Sequence, residues 1–127
     1  MEIIRIPILK IEDFLVASIQ TALHDVQAMD FKDSLLQRIY ETKAKGVILD
    51  LTAIDVLDSF VGRLINDIAQ MANLMGAKVV ITGLQPAVAI TLVELGLELT
   101  QVLTALNLEK GISALRRATE HTANGRA

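Results

Sequence analysis

The chain contains no cysteine and no tryptophan, and only 3% of its residues are aromatic. Without cysteine, disulfides, thiol nucleophiles, iron–sulfur clusters and cysteine-based zinc sites are excluded. With one tyrosine and three phenylalanines, the chain offers few rings on which the bases of a nucleic acid could stack. The core must therefore be built from Val, Ile, Leu, Ala and Met.

Neither an excess of basic residues nor a long apolar run is present. Twelve Lys and Arg against 15 Asp and Glu give a net charge of −3, whereas nucleic-acid binding depends on a basic surface. No apolar run approaches the roughly 20 residues that span a bilayer, and the N-terminus lacks the pattern of a secretory signal. We expect a cytoplasmic protein that binds neither nucleic acid nor membrane.

The order of apolar segments predicts an α/β fold. Residues 3–11 and 14–19 read as two strands whose two-residue connection favours an antiparallel hairpin. Strands at 47–51, 78–83 and 100–105 then alternate with helices that begin at Asp25, Ser59, Pro86 and just after Asn107. This alternation predicts a single domain with a mixed, mostly parallel sheet, an N-terminal antiparallel hairpin and about four helices.

The first helix carries an apolar stripe and a stop signal. Apolar residues recur at intervals of three, four and seven, and we predict that the stripe faces the core: Val26, Met29, Leu36, Ile39 and Tyr40. Gly46 is predicted to end this helix.

The motifs of catalysis and cofactor binding are missing. The seven glycines are scattered, and neither a dinucleotide-binding fingerprint nor a phosphate-binding loop follows a strand. His24 and His121 have no partners at useful spacing and read as solvated surface residues. The sequence predicts no catalytic residue, no metal ligand and no cofactor.

Acidic residues follow the third predicted strand. Asp50 at a strand end raises the possibility of a phospho-acceptor domain, but no lysine ends the strand at 78–83. We interpret Asp50 and Asp55 as turn-forming acids and Asp58 as a helix N-cap. An enzyme or small-ligand binder that uses the strand ends at Asp50 and Thr82 remains an alternative.

Ser59 lies where that loop becomes a helix. Unpaired N–H groups and the helix dipole favour a phosphate at such a position. Arg63, four residues on, shares the helix face and could pair with a phosphoserine. The apolar Phe60 could lie at a protein interface. Taken alone, a simple helix cap is the commoner role for such a serine.

Four runs together resemble the STAS-domain family of anti-sigma-factor antagonists, and in particular its stressosome branch. These runs are residues 46–52, 58–60, 73–83 and 86–96. Many antagonists have a small residue after the Asp-Ser pair, so Phe60 at that position favours the stressosome branch. The resemblance implies one STAS domain, over residues 1–120. The small and polar residues at the end of the chain predict a disordered tail at residues 121–127.

The resemblance also implies a function. Such proteins assemble with RsbR-like STAS paralogues and hold a switch serine kinase of the RsbT type. They release the kinase when the serine of the Asp-Ser pair, here Ser59, is phosphorylated. A phosphatase then removes the phosphate. Asp55, Asp58, Phe60 and Arg63 would then form the partner-binding surface. Alternatives are an antagonist that binds an anti-sigma kinase outside a large assembly and, more remotely, a transporter STAS module.

Overall fold

Five strands and four helices make up the part of the chain that this computed structural model describes, which is residues 6–19, 25–96 and 102–124. The strands are β1 (Ile8–Ile11), β2 (Phe14–Ser18), β3 (Gly46–Asp50), β4 (Lys78–Thr82) and β5 (Leu103–Ala105). The helices are α1 (Asp25–Thr42), α2 (Ser59–Leu74), α3 (Pro86–Glu94) and α4 (Leu108–Asn124).

The strands lie side by side in the order β1-β2-β3-β4-β5. β1 pairs antiparallel with β2, so that Ile8 lies opposite Ala17 and Ile11 opposite Phe14. The other three pairings are parallel. The predicted α/β class is confirmed, including the mixed, mostly parallel sheet, the N-terminal hairpin and the four helices.

The two faces of the sheet are covered unequally. Alternate residues of β2, β3 and β4 pack with α1, α2 and α3 into the larger cluster of buried side chains. Of the helices that the structure describes, α4 covers the opposite face, in a smaller cluster whose buried members are Phe14, Val16, Ile48, Val80 and Leu115. Successive strand residues point to opposite faces, so this division fixes which residues of each strand meet α4.

Two glycines let α4 lie close to the sheet. A Cβ on Gly46 would lie 2.7 Å from Cδ2 of Leu115, and one on Gly111 would lie 3.0 Å from Cγ2 of Thr82. Asn107 caps this helix as predicted, because its Oδ1 accepts a hydrogen bond from the Lys110 amide over 2.9 Å. The smaller cluster therefore depends on small residues in both the sheet and the helix.

The first helix differs from its prediction in its end and in its buried face. α1 ends at Thr42 because Lys43 adopts a left-handed φ of 54°, which is the usual geometry just past a helix C-terminus. Gly46 opens β3 instead of ending the helix. The predicted stripe is also wrong in part, since three of its members are largely exposed: Val26, Met29 and Tyr40. The buried face consists of Ala28, Phe31, Leu35 and Ile39.

Several predictions fall outside the described residues. These are the start of the first strand at residues 3–5, the start of the last strand at 100–101, His24, and residues 125–127 of the predicted tail. α4 runs to Asn124. The domain boundary at residue 120 stays a prediction.

An ion pair joins α4 to the turn between β1 and β2. Glu12 lies in this turn, and its carboxylate accepts two hydrogen bonds from the Arg116 guanidinium, one of them from Nε over 3.0 Å. These hydrogen bonds, with the positive charge of Arg116, hold the pKa of the Glu12 carboxyl below its ordinary value of 4.5. The pair therefore ties the edge of the hairpin to the helix that covers it.

We predict that Leu115→Ala destabilises the protein by about 2–5 kcal/mol, because it empties the centre of the smaller cluster, where Leu115 is fully buried. Chemical denaturation followed by circular dichroism measures this change. Leu74 is 88% exposed, so the control Leu74→Ala should stay within about 0.5 kcal/mol of the wild type. Equal losses in both variants would contradict the assigned role of α4.

We predict that Glu12→Gln flattens the acid limb of the stability profile. Since the folded pKa of Glu12 lies below the unfolded one, the carboxylate stabilises the fold above about pH 4.5, and this contribution disappears as the pH falls through the lowered value. Denaturation at a series of pH values tests this, with the exposed Glu94→Gln as control. A wild-type slope retained in Glu12→Gln would show that the ion pair adds nothing.

Candidate functional site

The candidate site lies at the edge of the sheet where the parallel strands end. β2, β3, β4 and β5 run in the same direction, so the segments that follow them emerge at one edge. In open α/β sheets, this carboxyl edge is the usual place for function. Residues 51–58 connect β3 to α2 there.

Asp58 fixes the start of α2. It has an extended backbone, with φ −86° and ψ 167°, and its Oδ1 accepts a hydrogen bond from the Val61 amide over 2.8 Å. Its carbonyl oxygen accepts from the Gly62 amide over 3.0 Å. The predicted N-cap role of Asp58 is confirmed, and Ser59 is consequently the first residue of the helix and not its cap.

The Ser59 side chain is exposed, as are those of Asp55, Asp58 and Arg63. Phe60 differs from them, because it is partly buried and packs against the larger cluster. Since Arg63 follows Ser59 by four residues, the two lie on the same side of α2. The structure therefore places the predicted serine on an accessible surface. Only part of the Phe60 ring is exposed on that surface.

The loop before Ser59 is anchored by apolar side chains at every third residue. Leu51, Ile54 and Leu57 are buried, and the Ile54 amide donates to the Leu51 carbonyl oxygen over 3.0 Å. Val56 is left 82% exposed between the two acids. The exposure of Val56 was not predicted from the sequence, although the buried residues at every third position of the loop, Leu51, Ile54 and Leu57, indicate that Val56 does not point into the core.

Asp50 has a role in addition to the one predicted. It is the last residue of β3, and its carboxylate accepts hydrogen bonds from the Thr82 and Thr52 hydroxyls over 2.7 and 2.9 Å. A longer contact of 3.4 Å comes from the Ser18 hydroxyl. Asp50 is thus not merely a turn-forming acid, because it joins the ends of three neighbouring strands.

The described residues show neither a metal cluster nor a membrane span. Among them, no three His, Asp or Glu side chains lie close enough together to hold a metal ion. None of the helices in the same part of the chain is long and apolar enough to cross a bilayer.

Comparison with proteins of known structure finds chains that are similar in both fold and sequence. A serine-to-glutamate variant of RsbS from Moorella thermoacetica is 43% identical, with a TM-score of 0.84, and the match covers 91% of this chain and 97% of that one. A chain from a solved stressosome, described as a signal integration and transduction hub, is 45% identical, with a TM-score of 0.81, and the match covers 89% of this chain and 98% of that one.

Comparison by sequence leads to the same family. RsbRA of Bacillus subtilis strain 168, named an RsbT co-antagonist protein, is 29% identical over 109 residues, which are 86% of this chain but only 40% of RsbRA. The STAS domain model matches residues 5–111. This model covers most of the chain, and the strands and helices are arranged as in the two solved structures. This chain therefore belongs to the STAS domain family.

Proposed function

We propose that this protein is a stressosome scaffold and a negative regulator of a stress-response sigma-factor cascade. It sequesters a switch serine kinase of the RsbT type and releases it when Ser59 is phosphorylated. The observation that carries this proposal is the exposed Ser59 hydroxyl at the start of α2, directly after the Asp58 cap. Similarity to RsbS and to the stressosome chain over nearly the whole length supports it.

The start of α2 can accommodate a phosphate. The first amides of a helix have no intrahelical acceptor, and of these the Val61 amide already donates to Oδ1 of Asp58. Among the contacts of the described residues, none occupies the amides of Ser59 and Phe60. These amides can donate to a phosphate oxygen, where the helix dipole favours negative charge. Arg63 lies one turn further along and supplies a positive charge. Phosphorylation therefore need not unfold the helix.

The same phosphate would repel an acidic partner. It adds about −1.5 to −2 charges at neutral pH to a surface that already exposes Asp55 and Asp58. Against a partner carboxylate about 6 Å away, each unit of charge costs about 3 kcal/mol at an effective dielectric constant of 20, and less when salt screens it. Since 1.4 kcal/mol is tenfold in affinity, this repulsion is sufficient to release a bound kinase.

The partners follow from this function. The kinase transfers the γ-phosphoryl group of ATP to the Ser59 oxygen. The bond between the γ-phosphorus and the bridging oxygen breaks, ADP leaves, and a base on the kinase takes the serine proton. A phosphatase removes the group. RsbR-like STAS paralogues complete the cytoplasmic assembly, and this chain itself performs no catalysis and needs no cofactor.

We predict that Ser59→Ala retains the kinase but cannot release it when ATP is present, whereas Ser59→Asp binds it poorly because a negative charge is already in place. Pull-down with the cognate kinase measures retention with and without ATP. Gln70→Glu is the matched control, since it adds one charge to an exposed residue of the same helix, 11 residues and about 16 Å further along. Equal retention by the Asp and Ala variants would refute the switch.

We further predict that this chain forms a particle of megadalton scale when mixed with an RsbR-like STAS paralogue. Light scattering after size-exclusion chromatography measures its mass. Small complexes alone, together with direct binding of the kinase, would contradict the scaffold role and favour the antagonist that acts outside a large assembly.

A further inference from the structure

The loop that leads from β3 to Ser59 begins at a polar cluster, which we define as Ser18, Asp50, Thr52 and Thr82. Asp50 receives hydroxyl hydrogen bonds from β4 and from the loop, and a longer contact from β2. Thr82 is fully buried, and Asp50 is half-buried. Hydrogen bonds to a charged acceptor are stronger than those between neutral groups, so this cluster fixes the strand ends firmly.

Thr52 connects the cluster to the loop. Its side chain is exposed, yet its hydroxyl donates to Asp50 over 2.9 Å. Its carbonyl oxygen accepts a hydrogen bond from Nε2 of Gln85 over 3.2 Å. The first polar residue of the loop is therefore held from two sides, by the end of β3 and by the segment before α3.

Gly83 makes room for this arrangement. A Cβ at Gly83 would lie only 2.0 Å from the Thr52 hydroxyl oxygen, and the residue has a left-handed φ of 73°. The segment after β4 thus fits closely around the Thr52 side chain. A larger residue at 83 would displace the hydroxyl from Asp50.

We propose that Asp50, acting through Thr52, is a positioning residue for Ser59, and this inference rests on the proposed function. Six residues separate Thr52 from Ser59, and two of them, Ile54 and Leu57, are buried. At one end of the loop Thr52 is bonded to Asp50, and at the other end Asp58 caps α2. The loop thereby holds the start of α2 in one place. Asp50 itself does not touch the phosphoryl group.

Thr52→Val tests this role, because it removes the hydroxyl, keeps the shape and alters an exposed residue. Thr52→Ser restores the hydroxyl and should restore the wild-type behaviour. Thr91→Val is the matched control, since the Thr91 hydroxyl bonds only the Ala87 carbonyl oxygen within α3 among the contacts of the described residues. Denaturant midpoints check that all three variants are folded.

The first measurement is amide hydrogen exchange in the free protein. We expect exchange in residues 53–57 to become about tenfold faster in Thr52→Val, as loss of one charge-assisted hydrogen bond implies. Exchange in α1 and α4 should stay unchanged. Unaltered exchange in the loop would overturn the inference whatever the kinase does.

The second measurement is phosphorylation of Ser59 by the RsbT-type kinase with ATP and the STAS paralogue present. Thr52→Val should lower kcat about tenfold while KM stays within about twofold, because the hydroxyl is less often presented but the docking surface is intact. A wild-type kcat in Thr52→Val, or a change in KM alone, would overturn the positioning role only. An unphosphorylated Ser59 in the wild type would overturn the proposed function, and the positioning role with it.

Discussion

Burial of the central strands on both faces is the constraint on which the rest of the structure depends. Val47, Ile48 and Leu49 of β3 are fully buried, between α1 and α2 on one side and α4 on the other. Such strands leave no place for exposed polar groups along their length, so polar chemistry is confined to the ends. At the carboxyl edge, Asp50 accepts hydrogen bonds from hydroxyl groups of the two neighbouring strands. The loop that starts there leads to Ser59. The fold thereby places an exposed serine one short loop away from the end of β3.

The order of elements was predictable because it depends on local patterns. Two strands with a two-residue connection, followed by alternating helices and strands, leave few topologies open. The end of α1 and its buried face were harder to predict from the sequence. Its apolar residues occur on more than one side. The predicted stripe shares Ile39 with the buried face, but the buried face continues through Phe31 and Leu35 and not through Val26, Met29 and Tyr40, and only packing against the sheet selects it. Its end was missed because a lysine, not a glycine, adopts the left-handed conformation.

The start of α2 was predictable for the same reason, since the Asp58 cap depends on residues three positions apart. The contacts of Asp50 were not, because Ser18 and Thr82 each lie 32 residues away in sequence. They meet only through the parallel register, which pairs Ser18 with Asp50 and Asp50 with Thr82. A sequence pattern shows that each residue ends a strand but not that the strands are neighbours in this alignment. The packing of Phe60 against the core likewise required the fold.

Site-resolved mass spectrometry tests the central claim most directly. This chain, assembled with its STAS paralogue, is incubated with the RsbT-type kinase and ATP, digested and analysed for phosphopeptides. A single phosphate on Ser59, absent when ATP is omitted, is the expected result. A chain that stays unmodified under conditions in which the kinase phosphorylates the paralogue, or one that carries its phosphate on another residue, would contradict the claim that Ser59 is the switch.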